Sequence, residues 1–79
     1  MDANKLVKMA NEIGRAFEAE PDRTAAIESV ATHLARFWEP RMRRELLAHV
    51  DETGGGALRP LVLEAVQKNR ARLAPAAAP

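Results

Sequence analysis

The chain contains no cysteine and no tyrosine, and its aromatic residues are limited to one tryptophan and two phenylalanines. Without thiols there can be no disulfide framework, no thiolate metal site and no cysteine nucleophile. With so few rings, there is no platform on which nucleotide bases would stack. Charge of one sign is not in excess either. Twelve Lys and Arg against 11 Asp and Glu leave a formal net charge of +1, too balanced for nucleic-acid binding by bulk electrostatics. Long apolar runs are missing as well. The longest stretch of large apolar residues is Leu61-Val62-Leu63, and the opening MDANKLVKMANEIG has no apolar core. Neither a membrane span nor a secretory signal is therefore predicted. The expectation is a soluble cytoplasmic domain with no nucleic-acid or membrane partner.

What is present suits a small helical core. A chain of 79 residues makes at most one domain, and such a chain buries only roughly 60% of the surface it exposes when unfolded. Apolar residues at 47% and charged residues at 29% match a globular domain, not a disordered one. Apolar positions recur at helical spacing, with no alternating strand pattern and no internal repeat. From about Ala3 to Ala19, Leu6, Met9, Ala10, Ile13 and Phe17 share one face, and Asp2 is placed to cap the start. Gly14 lies at the edge of that face. It costs about 1 kcal/mol of helix propensity relative to Ala, which points to a neighbour that comes too close for a side chain.

Glu20-Pro21 ends the first helix, because the residue before a proline disfavours helical backbone, and Asp22 or Thr24 can cap the second. The second helix carries Ile27, Val30, Ala31, Leu34, Phe37 and Trp38 on its apolar arc, which predicts Phe37 and Trp38 in the core. Pro40 suits the first position of a third helix, where its missing N–H has no partner to lose. That helix runs to about Asp51, before the Gly54-Gly55-Gly56 loop. A fourth starts near Pro60 and carries Leu61, Val62, Ala65, Val66 and Leu73. The predicted fold is all-α: a small bundle of four short amphipathic helices over residues 1–73, followed by a flexible Ala/Pro tail over residues 74–79.

No constellation for chemistry emerges. His33 and His49 are sixteen residues apart, on different helices and without paired-ligand spacing, so surface or capping roles suit them better than a metal site. Ser29, the only serine, has no His and Asp arranged around it. The carboxylate pairs Glu18/Glu20 and Asp51/Glu52 fall at helix ends, where solvation accounts for them. The glycine run lacks the Lys-Ser/Thr of a phosphate loop and any preceding strand.

One segment breaks a local rule. Arg41, Arg43 and Arg44 crowd the first turn of the third helix, where the backbone dipole disfavours cations by a few tenths of a kcal/mol each, on the order of what surface charges feel there. Met42, Leu46, Leu47 and Val50 form that helix's apolar arc, and Arg43 falls inside it, whereas Arg41 and Arg44 lie on the polar side. Two readings fit. In the first, Arg43 is laid along the core edge by its aliphatic stem while the others are solvated, with Glu39 and Glu45 partly neutralising the cluster. Alternatively the corner is a docking surface, with guanidinium groups aimed at acidic groups or phosphates of a partner. Trp and Arg are the residue types most enriched where interfaces concentrate their energy, and Trp38 can serve both core and interface.

The residues Lys5-Leu6-Val7-Lys8-Met9-Ala10-Asn11-Glu12-Ile13-Gly14, then Phe17-Glu18-Ala19 and Pro21-Asp22, resemble the opening of the formate dehydrogenase delta subunit family. The block His33-Leu34-Ala35-Arg36-Phe37-Trp38-Glu39-Pro40-Arg41-Met42-Arg43 is the more specific match, and a Pro-Leu-Val segment within Leu58 to Ala65 follows a glycine-containing loop. The resemblance extends to about Val66. Arg59 departs from the small polar residue expected before Pro60. The resemblance implies a non-catalytic accessory subunit of a complex that oxidises formate and passes electrons to NAD. The molybdenum–bis-pterin centre, iron–sulfur clusters and FMN would belong to the larger subunits, with no cofactor, metal or catalytic residue in this chain. Its partner would be the large catalytic subunit, and Arg36, Trp38, Arg41, Arg43 and Arg44 are the expected contact. Two other roles remain open on the sequence: a transient assembly chaperone for cofactor insertion, and a self-associating helical protein that forms a homodimer in isolation.

Overall fold

The computed structural model describes residues 2–75. They form five helices: α1 (Ala3–Phe17), α2 (Arg23–Phe37), α3 (Pro40–Thr53), α4 (Pro60–Lys68) and the single turn α5 (Arg70–Leu73). Among the described residues there is no strand, and no helix is long and apolar enough to cross a membrane. The fold is thus all-helical, as expected, but with a fifth short helix where the sequence pattern continues the fourth.

The helix boundaries follow local chemistry. The Asp2 carboxylate accepts from the Asn4 N–H at 3.0 Å, and Asp22 accepts from the N–H groups of Thr24 and Ala25, so each occupies donors that have no partner inside the helix. Pro40 and Pro60 both open their helices without a side-chain cap from the preceding residue. Gly54 ends α3 in the left-handed region at φ 78°, donating its N–H to the Val50 carbonyl at 2.8 Å. At the other break, Asn69 directs both its backbone N–H and its Nδ2 at the Ala65 carbonyl. A side chain that competes for a backbone acceptor in this way favours helix ends over helix interiors. The chain leaves helical backbone at Asn69, then α5 returns Leu73 to the core.

Helix α2 lies at the centre, packed against α1, α4 and α5, while α3 leans on α1 and α5. Its Ile27, Val30 and Leu34 meet Leu61, Val62 and Val66 of α4 and Leu6 and Ala10 of α1 in one continuous core. Gly14 explains itself here: a Cβ at that position would overlap the Val62 Cγ2 methyl, so α1 and α4 can approach this closely only because Gly14 has none. The loop before α4 is fixed from α1. Asn11 accepts the Arg59 N–H at 2.8 Å and donates Nδ2 to the Ala57 carbonyl at 3.0 Å, so one amide side chain satisfies two backbone groups some 46 and 48 positions away. The tail expected over residues 74–79 is described only at its start: Ala74 caps α5, Pro75 follows it, and residues 76–79 lie outside the described residues.

Candidate functional site

The α2–α3 connection is two residues long, Trp38 and Glu39. Trp38 is extended (φ −85°, ψ 135°) yet still donates its N–H to the Leu34 carbonyl, so the chain turns sharply and the indole drops into the core at 6% exposure. Phe37 goes the other way. The helical wheel puts it on the apolar arc of α2, but it is 68% exposed, and among the described residues it is the one exposed large apolar side chain. The sequence expectation that Phe37 is core is therefore corrected. A wheel gives direction only; burial also needs a neighbour at that height, and α3 departs to pack on α1 and α5 instead of covering the last turn of α2.

Of the predicted arginines, Arg36 is the one in contact with Phe37. Arg36 is exposed and its guanidinium stands 5.9 Å from the Phe37 ring centroid, within the range of a cation–π contact. His33, half-buried, packs its ring against Phe37 from below at 4.9 Å. Arg41 and Arg44 are exposed on α3, and Arg43 is half-buried on the core side of that helix. The Arg43 Nε is buried and has no hydrogen-bond partner among the described residues, and the same holds for His49 Nε2 on the same helix. A buried donor or acceptor left in that state costs about 1–3 kcal/mol. Among the described residues none of Arg36, Arg41, Arg43 and Arg44 forms an ion pair. Glu39, adjacent in sequence, does not neutralise them through a direct pair.

Elsewhere four of the other five arginines are paired, and only the exposed Arg15 on α1 is in no ion pair among the described residues. Arg59 binds Glu18 through two nitrogens at 2.5 and 2.7 Å, Arg23 binds Glu64 at 2.8 Å, Arg70 binds Asp51 at 2.6 Å and Arg72 binds Glu28 at 2.9 Å. The hydrogen bond from Arg59 holds the Glu18 carboxyl below its ordinary range, and Lys68 together with Arg23 does the same for Glu64. Sequence reasoning missed these pairs and the Asn11 clamp, because 41 positions separate Glu18 from Arg59 and Arg23 from Glu64. The only signal was Arg59 itself, a long cation in place of a small cap.

Beside the arginine corner, an open groove of about 400 Å³ runs between α1 and the end of α2. Met9, Ile13 and Phe17 form its α1 wall, Trp38 its floor, and Glu12 and His33 its polar edge. Met9, Ile13 and Phe17 were expected to be core positions; they pack against the core on one side and stay partly exposed on the other. Among the described residues no group of three or more His, Asp or Glu side chains is placed to hold a metal ion. What the α2–α3 turn and the groove beside it present is recognition chemistry: guanidinium groups without ion pairs among the described residues, one exposed ring and an apolar trough.

Neither the curated proteins nor the solved structures contain a significant match to this sequence. Residues 5–66, a span that contains the groove, the arginine corner and most of α4, match the family described as NADH-dependant formate dehydrogenase delta subunit FdsD, and the chain belongs to that family.

Proposed function

We propose that this chain is a non-catalytic accessory subunit that docks on the large molybdenum-containing subunit of a cytoplasmic, NAD-dependent formate dehydrogenase and supports its assembly, stability or activity. The observation that carries the reading is the contrast among its arginines. Arg23, Arg59, Arg70 and Arg72 pair with carboxylates of the chain itself, whereas among the described residues Arg36, Arg41, Arg43 and Arg44, clustered in sequence around the α2–α3 turn, do not; outside that cluster only the exposed Arg15 is likewise without an ion pair. Three of the latter sit at the first turn of α3, which has no acidic residue to offset them and where the helix dipole repels cations. Residues that lower local stability while leaving hydrogen-bonding capacity unused fit groups kept for an external acceptor. Carboxylates on the partner would supply it, with the charge-assisted geometry that guanidinium groups favour. In this reading Trp38 supports the corner from beneath, and molybdenum, pterin, iron–sulfur and FMN chemistry belongs to the larger subunits.

The test is affinity purification of the tagged chain from cells that co-express the large subunits, with formate-dependent NAD reduction measured on the eluate. Stoichiometric recovery of the active complex is expected. Replacing Arg41, Arg43 and Arg44 together by Ala should weaken that recovery by a factor on the order of 10–100. Equal recovery by the triple variant would remove the corner from the interface. Recovery of cofactor-free large subunit alone would make the chain a transient assembly factor instead.

A further inference from the structure

Phe37 and the groove next to it were not read as an interface in the sequence, and the arginine corner alone does not account for them. An exposed phenylalanine loses hydrophobic free energy in water, and this one is also held in place, with His33 packed below it at 4.9 Å and Arg36 over it at 5.9 Å. A ring so restrained has little rotamer freedom left to lose on binding. The groove beside it presents Met9, Ile13 and Phe17, four residues apart along α1, so its wall runs for about 12 Å at 1.5 Å per residue. That is the length of two helical turns, and it matches the ridge of an incoming helix or extended segment better than a compact small molecule.

The charge around the groove selects among occupants. Arg36 stands over Phe37, whose ring packs on His33 of the lining, the exposed Lys5 and Lys8 lie on α1 next to the Met9 end of the groove, and Glu12 is the one carboxylate in the lining. A second copy of this chain docking through the same face would set one cationic rim against another, since a two-fold interface pairs a patch with itself. An acidic partner would instead find complementary charge at Arg36 and at the α1 lysines beside an apolar trough.

We infer that this groove receives an apolar segment of the large subunit that carries Asp or Glu side chains at its edges, with Phe37 as the anchoring contact. The inference rests on the proposed docking to that subunit and adds which face is used and what chemistry meets it. To test it, Phe37 is replaced by the photoreactive p-benzoylphenylalanine in the full chain co-expressed with the large subunit, the purified complex is irradiated, and the linked peptide is sequenced. Cross-linking to a large-subunit peptide that combines apolar residues with nearby carboxylates is expected, while the same label at Gln67, exposed on α4, should give none. In parallel, Phe37→Glu should reduce recovery of the large subunit at least tenfold with an unchanged circular dichroism spectrum and melting temperature. Undiminished recovery by Phe37→Glu, or cross-links between two copies of this chain, would overturn the groove assignment and leave the docking reading standing. Failure of the unsubstituted chain to recover the large subunit would overturn both.

Discussion

At the seam where α4 rests on α1 and α2, the chain satisfies itself. Arg59 grips Glu18, Arg23 and Lys68 share Glu64, Asn11 holds the loop backbone, and Gly14 admits the Val62 methyl. At the turn between α2 and α3 it does not. Four arginines lack ion pairs among the described residues, a buried Nε lacks an acceptor, and Phe37 faces water. Both regions use the same residue types, so composition does not separate them. What separates them is whether the chain's own fold brings an acceptor within reach. A surface that folding leaves unsatisfied, next to one that folding satisfies in detail, is where an external partner has most to contribute.

The boundary between the two regions runs through Trp38, and removing it should have the largest effect. Its indole is in the core at 6% exposure while the residues on either side are exposed. Trp38→Ala should destabilise the isolated chain by about 3–5 kcal/mol in denaturant unfolding, enough to leave a domain of this size mostly unfolded near physiological temperature. A cost near zero would mean that the corner extends inward through Trp38 and that core and docking surface are not separate.

A smaller effect probes the seam. Gly14→Ala gains about 1 kcal/mol of helix propensity but drives a methyl into Val62, and overpacking of this kind costs about 1–3 kcal/mol. The net result should be a modest drop in melting temperature. Adding Val62→Ala should recover part of the Gly14→Ala loss, so that the two substitutions together cost less than their sum. Additive losses would show that the helices part freely at this point.

Acid should act on the seam and spare the corner. Glu18 and Glu64 are both held below their ordinary value of 4.5 in the folded chain, by Arg59 and by Lys68 with Arg23 respectively. A carboxylate whose folded value is depressed contributes stability above its unfolded value and loses it as pH falls through the folded one. Thermal unfolding should therefore shift down progressively as pH drops below 4.5, and Glu18→Gln with Glu64→Gln should flatten that part of the profile. These pairs are solvent-exposed, so added salt should shrink the effect. An unchanged acid limb in the double variant would mean that other carboxylates carry it.

Most of the fold was legible because its causes are local. Asp2, Asp22, Pro40, Pro60 and Gly54 mark helix ends through chemistry within four residues of themselves, and the apolar periodicity assigns Leu6, Ile27, Val30, Leu46 and Val62 to the core, where they lie. Gly14 was legible as a close approach, though its neighbour was not. Three features escaped. The break at Asn69 depends on one side chain competing for the Ala65 carbonyl against an intact apolar pattern. The Glu18–Arg59 pair depends on tertiary proximity. Phe37 has the right azimuth for the core and no helix at its height. Of the candidate site, the arginines were visible because they violate the dipole rule locally; the groove was not, because its lining residues look like ordinary core positions until the absence of a covering helix is seen.

The smallest expected change in stability is also the one that tests the comparison most directly. If the corner arginines make no interaction that the folded chain depends on, then replacing Arg41, Arg43 and Arg44 by Ala should change the unfolding free energy by less than about 0.5 kcal/mol, as for surface positions away from structural features. Two opposing terms set the sign. The first turn of α3 loses cations that the dipole disfavours, and Ala has the better helix propensity, both stabilising by a few tenths of a kcal/mol, roughly the size of such surface effects. Against this, the half-buried Arg43 gives up the aliphatic packing of its stem, but it also removes a buried Nε that has no partner. A neutral or slightly positive result, read by denaturant titration at constant slope, would show that the folded chain does not depend on these side chains, as the docking reading requires. A loss above about 2 kcal/mol, the range expected when a core or network is broken, would place the arginines in the chain's own architecture and erase the distinction between corner and seam.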